Sequence, residues 1–434
     1  MVNDYKIVVA GTGYVGLVTG VCLTELGHRV TCVDVVKEKI DLMRSGISPI
    51  YEPGLSELMT KNGVLLTYTT DYKEAYKDAD VIFIAVGTPE QEDGSANLNY
   101  VKAVSKQIAE TIAKDCVIVV KSTVPIGTND EVERFIREHL VNDVKVSIAS
   151  NPEFLSQGSA VKDTLHAKRI VIGVEDKWAE EVLVSVYKGF DQPFVITNRR
   201  SAEMIKYAAN DFLALKISYI NEIANMCELV GANIEDVTKG MSYDTRIGKE
   251  FLKAGIGFGG ACFPKDTKAL YNQASSEFGY EMQTIKAAID VNARQKTKLF
   301  FEAKKRLGVF DNLTVAILGL TFKPYTDDLR EAPSVDNINM LLKNGAKIKA
   351  YDPVGIENAK KIFEDTIEYT DDITDAIKQA DVAFIMTEWK EIVNFNVDDY
   401  VKLMKTPLIF DGRNCYDIET MKAKGIEYIS VGRR

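Results

Sequence analysis

The residues best suited to covalent chemistry stand in one stretch, Gly255-Ile256-Gly257-Phe258-Gly259-Gly260-Ala261-Cys262-Phe263-Pro264-Lys265-Asp266. A thiol follows four glycines, where backbone can approach a ligand closely, and it stands near Lys265, whose charge favours thiolate. A lone cysteine is more often a small buried hydrophobe, which is the reading for Cys22, Cys32, Cys116, Cys227 and Cys415. For Cys262 the reading reverses to nucleophile. Lys206 and Asn210 lie one helical turn apart and share a face. An ammonium and an amide so arranged can hold the oxygen of a tetrahedral intermediate. A surface lysine beside a capping or core-polar asparagine is the plainer alternative, and from spacing alone it is the commoner one. Glu153 follows a predicted strand in Asn151-Pro152-Glu153-Phe154-Leu155, so it is expected at the carboxyl edge of a sheet, where ligands bind. Thr123 and Thr88 are expected at the same edge, in Lys121-Ser122-Thr123-Val124-Pro125 and Val86-Gly87-Thr88-Pro89.

A second constellation lies at the start of the chain. Gly11-Thr12-Gly13-Tyr14-Val15-Gly16 fits G-x-G-x-x-G, follows a predicted strand and opens a predicted helix. Gly11 permits the tight turn, Gly13 lets a pyrophosphate reach the backbone, and Gly16 lets helix and strand pack closely. Asp34 ends the next predicted strand about 20 residues on, where a carboxylate binds a ribose 2′-hydroxyl and repels a 2′-phosphate. The expected cofactor is therefore NAD rather than NADP. Lys39 is near enough in sequence to reach the adenosine ribose, although most lysines on such a helix are simply solvated.

These residues need a frame. Short Val/Ile-rich runs alternate with amphipathic stretches, a βαβ rhythm that predicts a mostly parallel sheet with helices on both faces. Predicted strands run over 6–10, 30–34, 81–86, 117–121, 146–149 and 169–174. From Ser201 to about Val230 the pattern becomes one long helix, with Ser201 as N-cap, Glu203 in the first turn and Gly231 just past the end. The segments around Val315–Gly319, Gly345–Asp352 and Ala380–Ile385 then repeat the opening pattern without its glycine fingerprint, so the second copy is expected to bind something other than a dinucleotide. The expected architecture is α/β: two Rossmann-like doubly wound domains, 1–196 and 306–434, joined by a helical central domain, 197–305, that carries the cysteine loop and one long helix.

Composition is compatible with that reading. The 434 residues suit two or three domains, and 46% hydrophobic with 27% charged residues is ordinary for a globular chain. A net charge of −10 without a long basic run argues against nucleic acid as a partner. Apolar runs such as Cys116–Val120 are far short of the ~20 residues that span a bilayer, and the opening residues lack the regions of a signal peptide, so no membrane is expected and the expected compartment is the cytoplasm. Six scattered cysteines and three histidines predict thiols and no protein-held metal.

Taken together, the motifs resemble the UDP-glucose 6-dehydrogenases within the nucleotide-sugar dehydrogenases. The likeness runs in order through the GTGYVG turn, IYEPGL from Ile50, KSTVPIGT from Lys121, NPEFL from Asn151, SAEMIKYAAN from Ser201, GFGGACFPKD from Gly257 and GLTFKP from Gly319. The resemblance implies a four-electron oxidation of the sugar C6 hydroxymethyl group to a carboxylate, with two NAD per turnover and Cys262 forming a thiohemiacetal and then a thioester. By the same likeness Lys206 and Asn210 stabilise oxyanions, Asp266 with a water is a base, and Glu153 and Thr123 assist proton transfer. Lys265 and Arg330 resemble NAD-side contacts, with Thr88 and Thr123 near the nicotinamide ribose. Glu153, Phe154, Leu155, Phe251, Leu252, Lys253, Ala254, Gly255, Gly259, Phe322 and Lys323 resemble the residues that grip the UDP-sugar. Arg246 resembles an arginine that reaches a partner subunit's sugar pocket, in a homodimer paired through the long helix, and Arg413 a UDP-side arginine. One position departs from the pattern: a second glutamate often follows four residues after the one in NPEFL, and here Gln157 stands there, unable to take a proton. GDP-mannose or a UDP-N-acetylhexosamine as substrate is the neighbouring alternative, and a noncatalytic NAD- or nucleotide-binding protein is the alternative of a different class.

Overall fold

The computed structural model describes residues 5–433; residues 1–4, part of the opening read above against a signal peptide, and residue 434 lie outside the described residues. The chain divides into two compact units, one ending at Ala209 and one beginning at Asn210.

The first unit is built on an eight-stranded sheet of order β3-β2-β1-β4-β5-β6-β7-β8. Its strands are β1 Lys6–Ala10, β2 Arg29–Val33, β3 Leu66–Thr69, β4 Val81–Ile84, β5 Cys116–Val120, β6 Val146–Ser150, β7 Ile170–Gly173 and β8 Phe194–Thr197. Every pairing is parallel except β6 with β7, which touch antiparallel at Ser150 and Gly173. The central strands β4, β5 and β6 are buried along their whole length, as strands in a sheet covered on both faces must be. Separate apolar layers cover the two faces, one gathered around Leu17, Phe83 and Leu183 and the other around Ile82, Ile108 and Ile136.

The second unit repeats the plan with six parallel strands in the order β11-β10-β9-β12-β13-β14. They are β9 Thr314–Leu318, β10 Lys347–Tyr351, β11 Glu368–Thr370, β12 Val382–Ile385, β13 Leu408–Asp411 and β14 Glu427–Ser430. Gly319 leaves β9 at φ +90°, as Gly11 leaves β1 at φ +100°. At each, a Cβ would collide with the strand-end loop opposite, Thr387 or Ala85. The carboxylate that ends the second strand is also retained, as Asp352, but it is consumed. It accepts from the backbone N–H of Leu320, Thr321, Val354 and Gly355, from Thr321 Oγ1 and from Trp389 Nε1. A dinucleotide ribose would have to displace that whole set.

The long helix spans Arg199–Val230, and the division between units falls inside it. Its start corrects the expected cap. Asn198 Oδ1 accepts from Ser201 N at 2.8 Å, so Asn198 supplies the N-cap and Ser201 lies inside the first turn. Glu203 is not turned to its own helix end: it accepts from Gly127 N, Asn129 N and Asn129 Nδ2, tying down the loop after β5. Gly231, at φ +75°, stands just past the last turn as expected. No helix among the described residues is long and apolar enough to cross a membrane.

Candidate functional site

In the first unit the three glycines of the fingerprint have distinct physical reasons. A Cβ on Gly16 would lie 2.0 Å from Gly11 O, so only glycine lets the helix Tyr14–Thr24 pack on the turn. A Cβ on Gly13 would meet nothing within 4 Å. Its backbone faces open space at the start of a helix, a cradle that a side chain would fill and a pyrophosphate fits. Tyr14 and Val15 form the first turn. Asp34 accepts from Thr12 N at 2.9 Å, Thr12 Oγ1 at 2.6 Å and Val36 N at 3.0 Å. Partial burial pushes its carboxyl up, but these hydrogen bonds, with Lys39 in electrostatic reach, outweigh it and hold the group below the ordinary aspartate value. It is a carboxylate, ready to accept from a ribose.

The carboxyl ends of β4, β5 and β6 carry the next group. Thr88 is buried, and its Oγ1 donates to Thr123 O at 2.8 Å, so the two threonines meet as the sequence suggests. Glu153 is buried and accepts from Lys206 Nζ at 2.8 Å and from Leu155 N at 2.7 Å. The Lys206–Glu153 pair is almost wholly desolvated, with side chains 4% and 6% exposed. Phe154 is half-buried beneath Lys206, with the ammonium 5.5 Å from its ring and the Arg169 guanidinium 4.0 Å away.

The second unit holds the thiol. Cys262 is exposed and occupies the N-cap position of the helix Phe263–Phe278, whose second residue is Pro264. A helix N-terminus stabilises thiolate. Arg330 adds a cation in electrostatic reach of the sulfur; its own pKa is raised, chiefly by the hydrogen bond to Asp328. Lys265, which the sequence placed beside the thiol, pairs with Asp266 Oδ1 at 2.7 Å. The other carboxylate oxygen of Asp266 accepts from Asn210 Nδ2 at 2.7 Å. The carboxylate, one turn along from Cys262, is thus buried between an ammonium and an amide. Next to Asn210, Asp211 is also buried, and neither of its carboxylate oxygens has a hydrogen-bond partner. Burial first, and the charge of Asp266 second, push its pKa up to about 8.

The four glycines before the thiol serve packing of protein on protein. A Cβ on Gly255 would meet Gly412 O at 2.8 Å, on Gly257 Asn292 Oδ1 at 2.6 Å, on Gly259 Glu331 O at 2.4 Å, and on Gly260 the Phe322 ring at 2.8 Å. Backbone hydrogen bonds complete the mounting: Gly260 N donates to Arg330 O at 2.8 Å and Ile256 N to Gly412 O at 3.0 Å. Three buried amides clamp the loop from the helices. Asn292 Oδ1 accepts from Phe258 N at 2.8 Å while its Nδ2 donates to Phe258 O at 3.0 Å. Asn221 Oδ1 accepts from Gly255 N, and Gln295 Nε2 donates to Gly255 O.

Among the residues expected to grip a nucleotide sugar, Leu252 and Ala254 join the apolar core of the second unit, whereas Phe251 and Lys253 are exposed. Arg413 reaches the carbonyls of Met386, Gly257 and Phe322, which makes it a tie between the thiol loop and the carboxyl edge of the second sheet. Lys323 lies 5.6 Å from the Phe322 ring. Arg246 is exposed and paired with Asp244.

Models of the UDP-glucose/GDP-mannose dehydrogenase family match the chain in three successive parts: the NAD binding domain over residues 5–191, the central domain over 200–294 and the UDP binding domain over 316–418. This chain belongs to that family. Within it, the UDP-glucose 6-dehydrogenases YwqF and TuaD of Bacillus subtilis (strain 168) are 52% and 46% identical, each over 99% of this chain and over 98% and 93% of their own. The structure of a UDP-glucose dehydrogenase from Pyrobaculum islandicum superposes with a TM-score of 0.92 at 37% identity, covering 99% of this chain and 97% of that one. A UDP-D-ManNAc dehydrogenase from Pyrococcus horikoshii gives 0.87 at 26%, covering 98% and 99%.

Sequence reasoning about this family member passed over several buried polar groups that shape the site. Lys121 is buried beside Asn151, whose Oδ1 accepts from its Nζ at 3.0 Å. Desolvation lowers its pKa to about 8, against the pull of Glu153 and with the repulsion of Lys206. A lysine at the end of an all-apolar strand was the available signal. Asn221, Asn292 and Gln295 gave a fainter one, as amides on the apolar faces of helices.

Proposed function

We propose that this chain oxidises UDP-glucose to UDP-glucuronate, with NAD as hydride acceptor and two NAD reduced per turnover. The observation that carries the reading is Cys262 at a helix N-terminus, with Asp266 held one turn away by Asn210 and Lys265. A single-step dehydrogenase has no use for a thiol so placed. The choice of UDP-glucose rests on the two relatives at 52% and 46% identity, both UDP-glucose 6-dehydrogenases.

NAD bound at the glycine turn supplies the acceptor for each hydride. The chain's own residues do the rest. Asp266, through a water, takes the proton of the C6 hydroxyl as the first hydride leaves. Lys206 and Asn210 stabilise negative charge on that oxygen. The aldehyde carbon is then attacked by Cys262 Sγ, giving a thiohemiacetal that can donate a second hydride and become a thioester. Water cleaves the thioester with help from Glu153, held by Lys206 and Leu155 N. The balance is one alcohol, two NAD and one water in; one carboxylate, two NADH and three protons out. Thr88 and Thr123 serve the nicotinamide ribose in this reading, and Lys265 and Arg330 the cofactor side of the thiol.

We further infer three functional domains, 1–196, 197–305 and 306–434, and a homodimer formed through the long helix. Phe212, Tyr219 and Met226 are exposed on that helix at heptad spacing, with Leu229 beside them, a stripe that suits a second copy. Arg246 is exposed, as an arginine serving a partner's pocket needs to be. The cytoplasm supplies both the NAD pool and the reduced thiol that the reaction needs.

The test is NADH release against a panel of UDP- and GDP-sugars. Two NADH per UDP-glucose, with glucuronate as product, is expected; one NADH with aldehyde accumulating overturns the thioester route. Cys262→Ala should bind NADH normally and form no acid.

A further inference from the structure

A buried carboxylate outside the reacting groups joins the two functional stretches of the first unit. Glu52 is 7% exposed and belongs to a segment that the proposed chemistry does not use. Its Oε2 accepts from the hydroxyl of Tyr14 and from Gly158 N at 2.7 Å, and its Oε1 from Val161 N at 3.4 Å. The Tyr14 hydroxyl in turn accepts from the same Gly158 N at 3.1 Å and lies 3.0 Å from Tyr51 O.

The two ends of this cluster have different tasks. Tyr14 is the first residue of the helix whose N-terminus faces the pyrophosphate cradle at Gly13. Gly158, at φ +83°, sits in the loop that begins at Glu153 and ends in the helix Ala160–Leu165. The base of that loop is rigid, because Asn151 is held by Lys121, by Tyr187 and by Val171 O. Its far side is held through Glu52.

We propose that Glu52 is a positioning residue that transmits occupancy of the dinucleotide turn to the loop carrying Glu153. A phosphate seated on the first helical turn restrains Tyr14, and its hydroxyl, shared with Glu52, restrains Gly158. By reciprocity, a ligand that orders the loop must tighten dinucleotide binding by the same factor, commonly 5- to 150-fold for coupled sites. The carboxylate is needed because it has lone pairs for all three donors at once, which an amide oxygen flanked by its own NH₂ does not.

The experiment uses full-length protein with NADH alone, so it does not depend on which sugar is oxidised. Amide hydrogen exchange is measured over residues 156–161 with and without saturating NADH. Wild-type protein should show at least about fivefold slower exchange there when NADH is bound, the lower bound of ordinary coupling. In Glu52→Gln and in Tyr14→Phe the slowing should be confined to the glycine turn, with NADH still bound. A merely structural role for Glu52 would raise exchange equally with and without NADH. Wild-type exchange over 156–161 indifferent to NADH, or slowing that persists in both variants, overturns the proposal. Should Glu52→Gln fail to fold, Tyr14→Phe decides alone, since it leaves the Glu52–Gly158 bond in place. Failure of UDP-glucose as substrate would be seen only in the sugar panel.

Discussion

Asn292→Ala tests how the thiol loop is held. In the wild type one side chain satisfies both backbone groups of Phe258, N–H at 2.8 Å and C=O at 3.0 Å, deep in the second unit. Alanine leaves both unpaired. Each buried backbone group without a partner costs about 1–3 kcal/mol, so the closed loop should lose about 2–6 kcal/mol. The low end applies if water enters the space vacated beside Gly257. Even 2 kcal/mol raises the open population of the loop roughly thirtyfold. The loss should be local, because Asn221, Gln295 and the Gly260–Arg330 bond still hold the flanks.

Three measurements separate the loop from the global fold. Exchange of the Phe258 amide should accelerate about thirtyfold or more, iodoacetamide should modify Cys262 at a changed rate, and kcat should fall at least tenfold as the sulfur loses its fixed approach to the sugar carbon. NADH affinity should stay within about twofold, because the glycine turn belongs to the other unit. Asn292→Asp is the informative companion. It keeps an acceptor for Phe258 N but sets a carboxylate against Phe258 O, so it should not rescue the alanine variant. A folded Asn292→Ala protein with wild-type Phe258 exchange and wild-type kcat would refute the clamp.

Two further predictions follow from the same structure. Gly259→Ala places a Cβ 2.4 Å from Glu331 O and should lower unfolding free energy by about 1–3 kcal/mol in denaturant titration, whereas Gly13→Ala meets nothing within 4 Å and should leave stability unchanged while weakening NADH binding. Stability against pH should show two opposed slopes. Asp211, raised from 3.8 to about 8, keeps a proton in the folded state that the unfolded chain gives up, so it opposes folding progressively as pH rises from 4 to 8, by up to about 1.4 kcal/mol per unit. Asp211→Asn should therefore gain thermal stability over wild type at pH 8 relative to pH 4.5. Lys121, lowered from 10.5 to about 8, has the reverse sign: its cost is full below pH 8 and disappears as pH rises towards 10.5, so the benefit of Lys121→Met should be largest at neutral pH. Equal differences at all pH values would contradict both.

The sheets were legible in the sequence because their central strands are buried on both faces and therefore read as short, mostly apolar runs rich in Val and Ile. The edge strands were not. Leu66–Thr69 alternates buried and exposed residues, and Phe194–Thr197 is four residues long with Val195 and Ile196 exposed, so neither carries the longer buried apolar run that marks the central strands. The Ser201 cap was misplaced by three positions because Asn198 and Ser201 are both good caps, and only the fold decides which precedes the first turn. The candidate chemical residues stand out in the sequence by type and spacing. The residues that position them do not, because their partners are distant in sequence: Asn292 meets Phe258 34 positions away and Glu52 meets Gly158 106 away. A buried amide or carboxylate with a distant backbone partner is indistinguishable in sequence from a polar residue on a solvated face.

The glycines before Cys262 change meaning once that distance is seen. Read locally, they leave room for a ligand at the backbone. In the fold, three of them leave room for the carboxyl edge of the second sheet: Gly412 after β13, and Phe322 and Glu331 in the loop after β9. That edge is where a doubly wound sheet binds its ligand, and β9 still ends in the left-handed glycine of a dinucleotide turn. But the carboxylate in its ribose position, Asp352, is filled by six protein donors, and its loop has become the wall on which the Cys262 loop is mounted. Deeper substitution at Gly259 or Gly260 should therefore misplace Cys262 by moving its support. The expected signature is lower kcat with unaltered dinucleotide affinity, the opposite of what the same substitution does at Gly13.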